Sequence, residues 1–151
     1  MITREFILAG KATFTLEVGA EWRDSHLDCQ PHYTYKITRK DNEDGRPPVY
    51  FIALLTGPDN EADYTYLGML NPEVGCVFLT RGSKLPPTAH PVTLLGAVIK
   101  RIWRDDETII EAAGFKLHHE GKCGRCGRTL TVPESIESGI GPECAAKMEG
   151  D

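Results

Sequence analysis

The stretch HEGKCGRCGRTLTVPESIESGIGPEC, residues 119–144, carries three of the five cysteines of the chain. Cys123 and Cys126 are separated by two residues, a spacing that lets one tight turn direct two thiolates at a single metal ion. Gly124 and Gly127 suit that turn, because a residue without a Cβ adopts positive φ at no steric cost. The spacing therefore predicts a zinc-binding turn.

The third cysteine of the stretch falls at the expected start of a helix. The sequence predicts this helix over residues 141–147, with Cys144 in its first turn, where the unpaired N–H groups and the positive end of the helix dipole favour a thiolate. A close cysteine pair that meets a cysteine at a helix N-terminus resembles the treble-clef zinc finger. The resemblance implies one zinc ion held between the turn and the helix.

A shorter helix is predicted between these two cysteine elements. Thr131 and Glu134 have the spacing of a capping box, in which each side chain bonds to the backbone N–H of the other residue. Pro133 falls in the first turn and Gly139 at the end of this helix, positions at which these residue types are common.

The fourth ligand is not found where a treble clef usually has it, one turn after the third. Residues 145–148 are Ala, Ala, Lys and Met, none of which ordinarily binds zinc. Alternation over residues 115–119 places His119 on the apolar face of a strand and His118 on the polar face. The apolar face should point inward, so His119 is the predicted ligand. The alternatives are His118 and, more remotely, Cys29 and Cys76.

The predicted site is a Cys₃His tetrahedron with one structural Zn²⁺ per chain, because four protein ligands leave no open position for a reactive water. Its ligands are His119, Cys123, Cys126 and Cys144. Other uses of the cysteines fit less well. A redox pair expects a thioredoxin-type context, an odd cysteine count without a secretory signal disfavours disulfides, and an iron–sulfur cluster usually requires four cysteines.

Composition limits the class of protein. With 151 residues, of which 40% are hydrophobic and 26% charged, the chain fits one domain with a small appendage. No apolar run approaches the ~20 residues of a membrane span, and the N-terminal residues lack signal-peptide anatomy, so we expect a cytoplasmic protein without a membrane partner. The formal net charge is −5. The charge of the whole chain therefore gives no argument for nucleic acid.

The remaining sequence predicts a β-rich body over residues 1–114, on which a zinc module over residues 115–151 docks. Apolar patterns predict five strands, at about residues 12–18, 32–39, 49–55, 63–70 and 76–80. Helical spacing predicts one packing helix at about residues 91–104 and favours a short helix over an edge strand at 107–113. Residues 22–31 have the pattern of a loop. The fold class is α+β: a five-stranded antiparallel sheet or an OB-like barrel with one packing helix, plus a small C-terminal treble-clef-like zinc finger.

Several longer motifs carry a resemblance to a known family. They are CGRCGR at 123–128, LTVPESI at 130–136, GIGPEC at 139–144, and upstream ATFT at 12–15, YTYK at 33–36, LTGPDNE at 55–61 and YTYLG at 64–68. These motifs resemble a family of small, uncharacterised phage and prophage proteins whose C-terminal module is a domain of unknown function. His119 and the two residues after it also match that pattern, which supports His119 as the ligand. The resemblance implies the cytoplasm of a bacterial host.

The first functional hypothesis is a phage-type accessory protein that binds nucleic acid. The zinc module alone is similar to modules fused to helicase-like and other DNA-handling proteins, which by analogy suggests DNA. Rings and cations interleave along residues 33–40, and Tyr50, Tyr64 and Tyr66 could extend a stacking platform on a sheet, although tyrosine is also an ordinary strand residue. The candidate contact residues are Tyr33, Tyr35, Lys36, Arg39, Arg81, Lys84, Arg125 and Arg128.

The second hypothesis is a protein-interaction factor that binds a host enzyme or a defence component, which the mild acidity of the chain favours. An enzyme is not predicted. His26, His32 and His90 have no evident nucleophile or carboxylate partners, and the sequence contains no glycine motif that cradles phosphates. The acidic residues around Asp59 fit a solvated turn better than a divalent-ion site. The sequence leaves the oligomeric state open.

Overall fold

The computed structural model describes residues 2–59, 61–130 and 133–149. The strands are β1 (Lys11–Glu17), β2 (His32–Lys40), β3 (Val49–Leu55), β4 (Tyr64–Asn71), β5 (Cys76–Phe78) and β6 (Lys116–His119). The helices are α1 (Arg4–Ile7), α2 (Ala20–Ser25), α3 (His90–Trp103), α4 (Glu107–Ala112), α5 (Pro133–Ser138) and α6 (Pro142–Glu149). Thr131, which the sequence predicts as a capping residue, lies outside the described residues.

All six strands form one antiparallel sheet in the order β5-β4-β3-β2-β1-β6, which curls into an open half-barrel. The five predicted strands are present, but the predicted strand count is wrong, because the segment that leads into the zinc module adds a sixth. The first five strands follow one another as a meander and leave the outer edge of β1 free. β6 pairs with that edge, with Phe14 opposite His119 and Leu16 opposite Leu117.

One face of the sheet forms the core. Ala12, Phe14 and Leu16 of β1 are buried, while the residues between them remain partly exposed, and β2 and β3 follow the same period. The apolar stripe of α3 covers this face, and the hydroxyl of Tyr35 donates to the carbonyl oxygen of Pro91 at 2.7 Å. The body is thus a helix packed on a sheet.

The helices agree with the sequence in part. The long predicted helix is confirmed as α3, and the short one before residue 115 is confirmed as α4. The loop predicted for residues 22–31 is wrong at its start, because α2 continues to Ser25 and the ring of Trp22 stacks on His26 with centroids 3.6 Å apart. A helix of six residues is too short for its periodicity to be recognised. Within the described ranges, no helix combines the length and the apolarity needed to cross a bilayer.

The C-terminal segment, which begins at Glu120 after β6, packs against α1 and β1 through its glycines. Phe6 of α1 is buried, and a Cβ built on Gly124 or Gly139 would lie 2.7 Å or 2.6 Å from its ring. The backbone N–H of Gly124 donates to Gly139 at 2.7 Å, and that of Lys11 donates to Gly124 at 2.6 Å. The glycines therefore let the backbone of the segment approach the Phe6 ring closely. The domain boundary between residues 114 and 115 stays a prediction.

Two glycine-to-alanine substitutions should have opposite effects on stability. Gly75→Ala should lower the free energy of unfolding by about 2 kcal/mol or more, because Gly75 has φ +69° and its Cβ would lie 2.4 Å from Cγ of Trp103. Gly96→Ala should raise it by about 0.5–1 kcal/mol, since Gly96 lies within α3 and an added Cβ meets nothing within 4 Å. Urea denaturation followed by circular dichroism measures both. Equal effects would contradict this account of the two glycines.

Candidate metal centre

Three cysteine sulfurs converge at the C-terminal end of the chain. The Sγ atoms of Cys123, Cys126 and Cys144 all lie within 4.8 Å of one another. Among the described residues, these three thiols form the cluster of potential metal ligands. Sulfurs that share a tetrahedral Zn²⁺ at bonds of about 2.3 Å are separated by roughly 3.8 Å. The three thiols are therefore close enough for one ion to draw them together.

Backbone hydrogen bonds shape the cysteine turn, residues 122–129, which carries the first two sulfurs. Cys123 N donates to the carbonyl of Arg128 at 2.8 Å, and Gly127 N donates to the carbonyl of Cys123 at 2.9 Å. Lys122 and Thr129 form an antiparallel bridge across the base of the turn. These contacts are all made by the main chain, so the turn does not depend on its exposed side chains.

Backbone N–H groups around the sulfur of Cys123 favour its thiolate form. It is fully buried, and it accepts backbone hydrogen bonds from Gly141 at 3.2 Å and from Arg125 at 3.4 Å. Burial raises the pKa of this thiol, but the backbone N–H groups of Gly141, Cys126 and Arg125 together outweigh burial and lower the pKa to about 7. These donors stabilise the thiolate, which is the form that binds metals.

Cys144 shows why the cluster suits a cation. It is the third residue of α6, and its pKa is raised to about 11 by burial and then by the neighbouring thiols of Cys126 and Cys123. Without a cation, three adjacent thiols do not all become thiolates, because each new negative charge repels the others. A bound divalent ion reverses that penalty, and a set of thiolates suits a borderline-soft ion such as zinc. The cluster can therefore bind a metal ion.

His119, the predicted fourth ligand, lies near the cluster but outside it. Neither of its ring nitrogens lies within 4.8 Å of all three sulfurs. Its Nδ1 accepts a hydrogen bond from Gly121 N at 3.0 Å, and a neutral ring that accepts at Nδ1 carries its proton on Nε2. Binding of a metal by His119 therefore requires its ring to give up this hydrogen bond. Its role as the fourth ligand stays a prediction.

The alternative fourth ligands lie elsewhere. His118 points to the opposite face of β6, where its Nε2 is 3.1 Å from Oε2 of Glu17, and this hydrogen bond is the main cause of the lowered pKa of Glu17. Cys29 and Cys76 do not belong to the group of three sulfurs. A cavity of about 280 Å³ opens beside the sulfurs, between the cysteine turn and the start of α6. The open side of the cluster thus faces this cavity.

The structure divides the residues predicted to contact nucleic acid between the core and the surface. Tyr33 and Tyr35 lie in the core, so their rings cannot stack on a base, whereas Lys36 lies on the opposite face of the sheet. Arg39 pairs with Asp41 at 2.9 Å. The other four predicted residues are Arg81 and Lys84, in the loop between β5 and α3, and Arg125 and Arg128, on the cysteine turn.

A groove that the sequence motifs do not single out lies on the face of the sheet that α3 does not cover. This outer groove has a volume of about 900 Å³. Its lining residues are Lys11, Thr13, Thr15, His32, Thr34, Lys36, Leu55, Glu61, Tyr64, Glu120, Lys122 and Gly127. The alternation in β1 and β2 indicates this second face, because the residues between the buried ones are polar and point to the other side of the sheet.

Polar contacts hold the side chains of the outer groove. The ammonium of Lys36 lies 5.2 Å from the ring centroid of Tyr64. On the floor, Thr15 Oγ1 lies 2.7 Å from Thr34 Oγ1 and donates to Oε1 of Glu120 at 2.8 Å. The pKa of Tyr64 is raised by burial and then by the charge of Glu120, so the carboxylate also acts on this ring. Glu120 and Lys122 belong to the segment after β6, which therefore forms one wall of the groove.

The comparison with known families matches the C-terminal segment only. Residues 118–149 match the model of a family of unknown function (DUF6011). This range contains all three clustered cysteines and both adjacent histidines. No curated protein and no solved structure matches the chain.

Removal of one clustered sulfur should abolish tight metal binding. We expect the purified protein to hold one Zn²⁺ per chain, and Cys126→Ser to lose it, because a hydroxyl is a much poorer ligand than a thiolate. Cys29→Ser is the matched control, since Cys29 does not belong to the cluster. Native mass spectrometry with and without a chelator measures the stoichiometry. Equal metal content in both variants would contradict the assignment.

A second pair of variants tests the fourth ligand. His119→Ala should weaken the affinity for Zn²⁺ by tenfold or more, whereas His118→Ala should leave it unchanged, because His118 faces away and bonds to Glu17. Competition with a chromophoric chelator measures both affinities. Unchanged affinity in His119→Ala would exclude His119 as the fourth ligand.

Proposed function

We propose that this protein is a non-enzymatic, phage-type accessory protein of the bacterial cytoplasm, in which a structural zinc ion holds the C-terminal module and the outer groove binds single-stranded nucleic acid, DNA in particular. The observation that carries the nucleic-acid part is the outer groove itself, where Lys36 lies over the half-exposed ring of Tyr64. The phage origin rests on the resemblance of the sequence motifs.

The zinc part of the proposal is supported by the three thiols and by the small size of the segment that carries them. The segment after β6 contains two short helices, and among its described residues the buried apolar side chains are few: Leu130 and Ile140 join Cys123 and Cys144 in the core. A segment this short buries little core by itself, so metal binding would supply much of its folding energy. The zinc is thus proposed as a structural ion.

The nucleic-acid part is supported by the side chains that share the outer face of the sheet. Phe51, Tyr64 and Tyr66 are partly exposed on this face, and the rings of Phe51 and Tyr66 meet edge-on at 6.2 Å. Proteins that bind single strands combine such rings, on which bases stack, with cations along the path of the backbone. The sequence names Tyr50, Tyr64 and Tyr66 for this role. Tyr50 is buried like Tyr33 and Tyr35, so Tyr64 and Tyr66 are the two of these rings that lie on the outer face.

The local charge supports the proposal better than the total charge does. Lys11, Lys36 and Lys122 line the outer groove, where Glu61 and Glu120 are the carboxylates. Local cations attract a phosphate backbone even when the chain has a net charge of −5, because exposed charges more than about 8–10 Å away are screened at physiological salt. A duplex is a poorer candidate, since stacking on a ring requires bases that are already unpaired.

The alternative function is a protein-interaction factor that binds a host enzyme or defence component. The observation in its favour is that acidic residues outnumber basic ones by 22 to 17 over the chain, which lowers the affinity for any polyanion. The two proposals differ in their salt dependence, because only nucleic-acid binding releases condensed counterions in proportion to the phosphates contacted.

Single substitutions in the outer groove should weaken binding of single-stranded DNA. Tyr64→Ala should reduce the binding free energy by about 1–3 kcal/mol, the contribution of one stacked base. Lys36→Ala should weaken binding and reduce the slope of log K against log salt by about 0.7. Lys100→Ala is the control, because Lys100 is exposed on α3, away from the groove. Fluorescence anisotropy of a labelled 12-mer at several salt concentrations measures these effects.

Two outcomes would contradict the proposed function. One is the absence of binding at low salt by the zinc-loaded protein, which would favour the protein-interaction alternative. The other is an equal loss of affinity in Lys36→Ala and Lys100→Ala, which would show that the attraction is a property of the whole surface.

A further inference from the structure

The floor of the outer groove presents hydrogen-bond acceptors. Thr15 uses its one hydroxyl proton in the bond to Glu120, so the hydrogen bond between Thr15 and Thr34 must be donated by Thr34. Thr34 is then left with lone pairs, and the carboxylate of Glu120 retains acceptor capacity on both oxygens, because the bond from Thr15 uses a single lone pair of Oε1. A ligand that reaches this floor must therefore bring hydrogen-bond donors.

The cations of the groove lie on the same strands and segment as this floor, at other positions. Lys11 begins β1, Lys36 lies in β2 above the Tyr64 ring, and Lys122 lies 3.8 Å from Glu61. A phosphate is attracted by these ammonium groups and repelled by the Glu120 carboxylate. A bound strand therefore places its backbone along the lysines and directs its bases toward the floor.

Bases differ in what they offer to a carboxylate. Guanine presents two adjacent donors, N1–H and the N2 amino group, which match the two oxygens of a carboxylate. Thymine presents one N–H between two carbonyl oxygens that a carboxylate repels, while adenine and cytosine present an amino group beside an acceptor. Watson–Crick edges of unpaired bases are the usual targets of sequence-specific recognition in single strands.

We infer that Glu120 is a specificity-determining residue, and that the outer groove prefers single strands that contain guanine. A guanine that stacks on Tyr64 would donate from N1 and N2 to the carboxylate of Glu120, while Lys36 moves from the ring to the phosphate. This inference rests on the proposed function, because it names the base that the same groove selects. The hydrogen bond from Thr15 favours one orientation of this exposed carboxylate before a ligand binds.

The test compares five labelled thymine 12-mers in which every fourth position carries a second base, a pattern without self-complementary runs, in lithium buffer, which does not support guanine quadruplexes. The second base is guanine, inosine, adenine, cytosine or thymine. We expect the zinc-loaded protein to bind the guanine strand roughly tenfold more tightly than the adenine strand, as a good bidentate contact does. Inosine, which keeps N1–H and lacks the amino group, should fall between them.

Two variants of Glu120 separate recognition from charge. Glu120→Gln still accepts the hydrogen bond from Thr15, so it should fold, and it should lose the guanine preference while its affinity for the thymine strand stays equal or rises. Glu120→Asp keeps the charge but shortens the side chain, and it should lose the preference as well. Glu43→Gln, an exposed residue of the turn between β2 and β3, makes the same charge change outside the groove and should leave the preference intact.

The outcomes distinguish the two proposals. Failure of all five strands to bind would overturn the proposed function and the guanine preference together. Binding of all five strands with equal affinity would overturn only the preference. A guanine preference that persists in both Glu120→Gln and Glu120→Asp would show that another residue reads the base.

Discussion

The pairing of β6 with β1 is the constraint on which the rest of the structure depends. It places His119 opposite Phe14 at the sheet edge, from which the chain enters the cysteine turn. The same pairing brings Glu120 to Thr15 and Lys122 to Glu61, so the C-terminal segment becomes a wall of the outer groove. Phe6, packed under Gly124 and Gly139, fixes the segment from the other side. One strand of four residues thus joins the candidate metal centre to the candidate binding surface.

Local patterns in the sequence account for most of the elements. The alternation in β1, β2 and β3 gave correct strands, the apolar spacing gave α3, and the glycine–proline signals gave the start and end of α5 and the start of α6. The convergence of the three cysteines was foreseeable from the treble-clef resemblance, because the close pair and the cysteine at a helix start are each recognisable locally. The short α2 was missed, since one and a half turns carry too little periodicity to distinguish a helix from a loop.

Long-range placement could not be read from the sequence. Tyr33 and Tyr35 alternate with Thr34 and Lys36, and this period establishes that the two pairs face opposite sides without stating which side is covered. The packing of α3 decides that question, and it buries the tyrosines. The outer groove depends on pairs such as Thr15 with Glu120, which are 105 residues apart in sequence. No local pattern reports a contact at that distance.

That separation has a consequence for how the protein is made. A ribosome would release β1 and β2 early, but the outer edge of β1 has no partner until the chain has grown past His119. During that interval β1 presents unpaired N–H and C=O groups, and such an edge readily recruits strands from other nascent chains. Contacts between distant residues also form slowly, because closing a long loop costs entropy before any contact compensates for it. The edge of an early strand is therefore covered only by β6, which is synthesised about a hundred residues later.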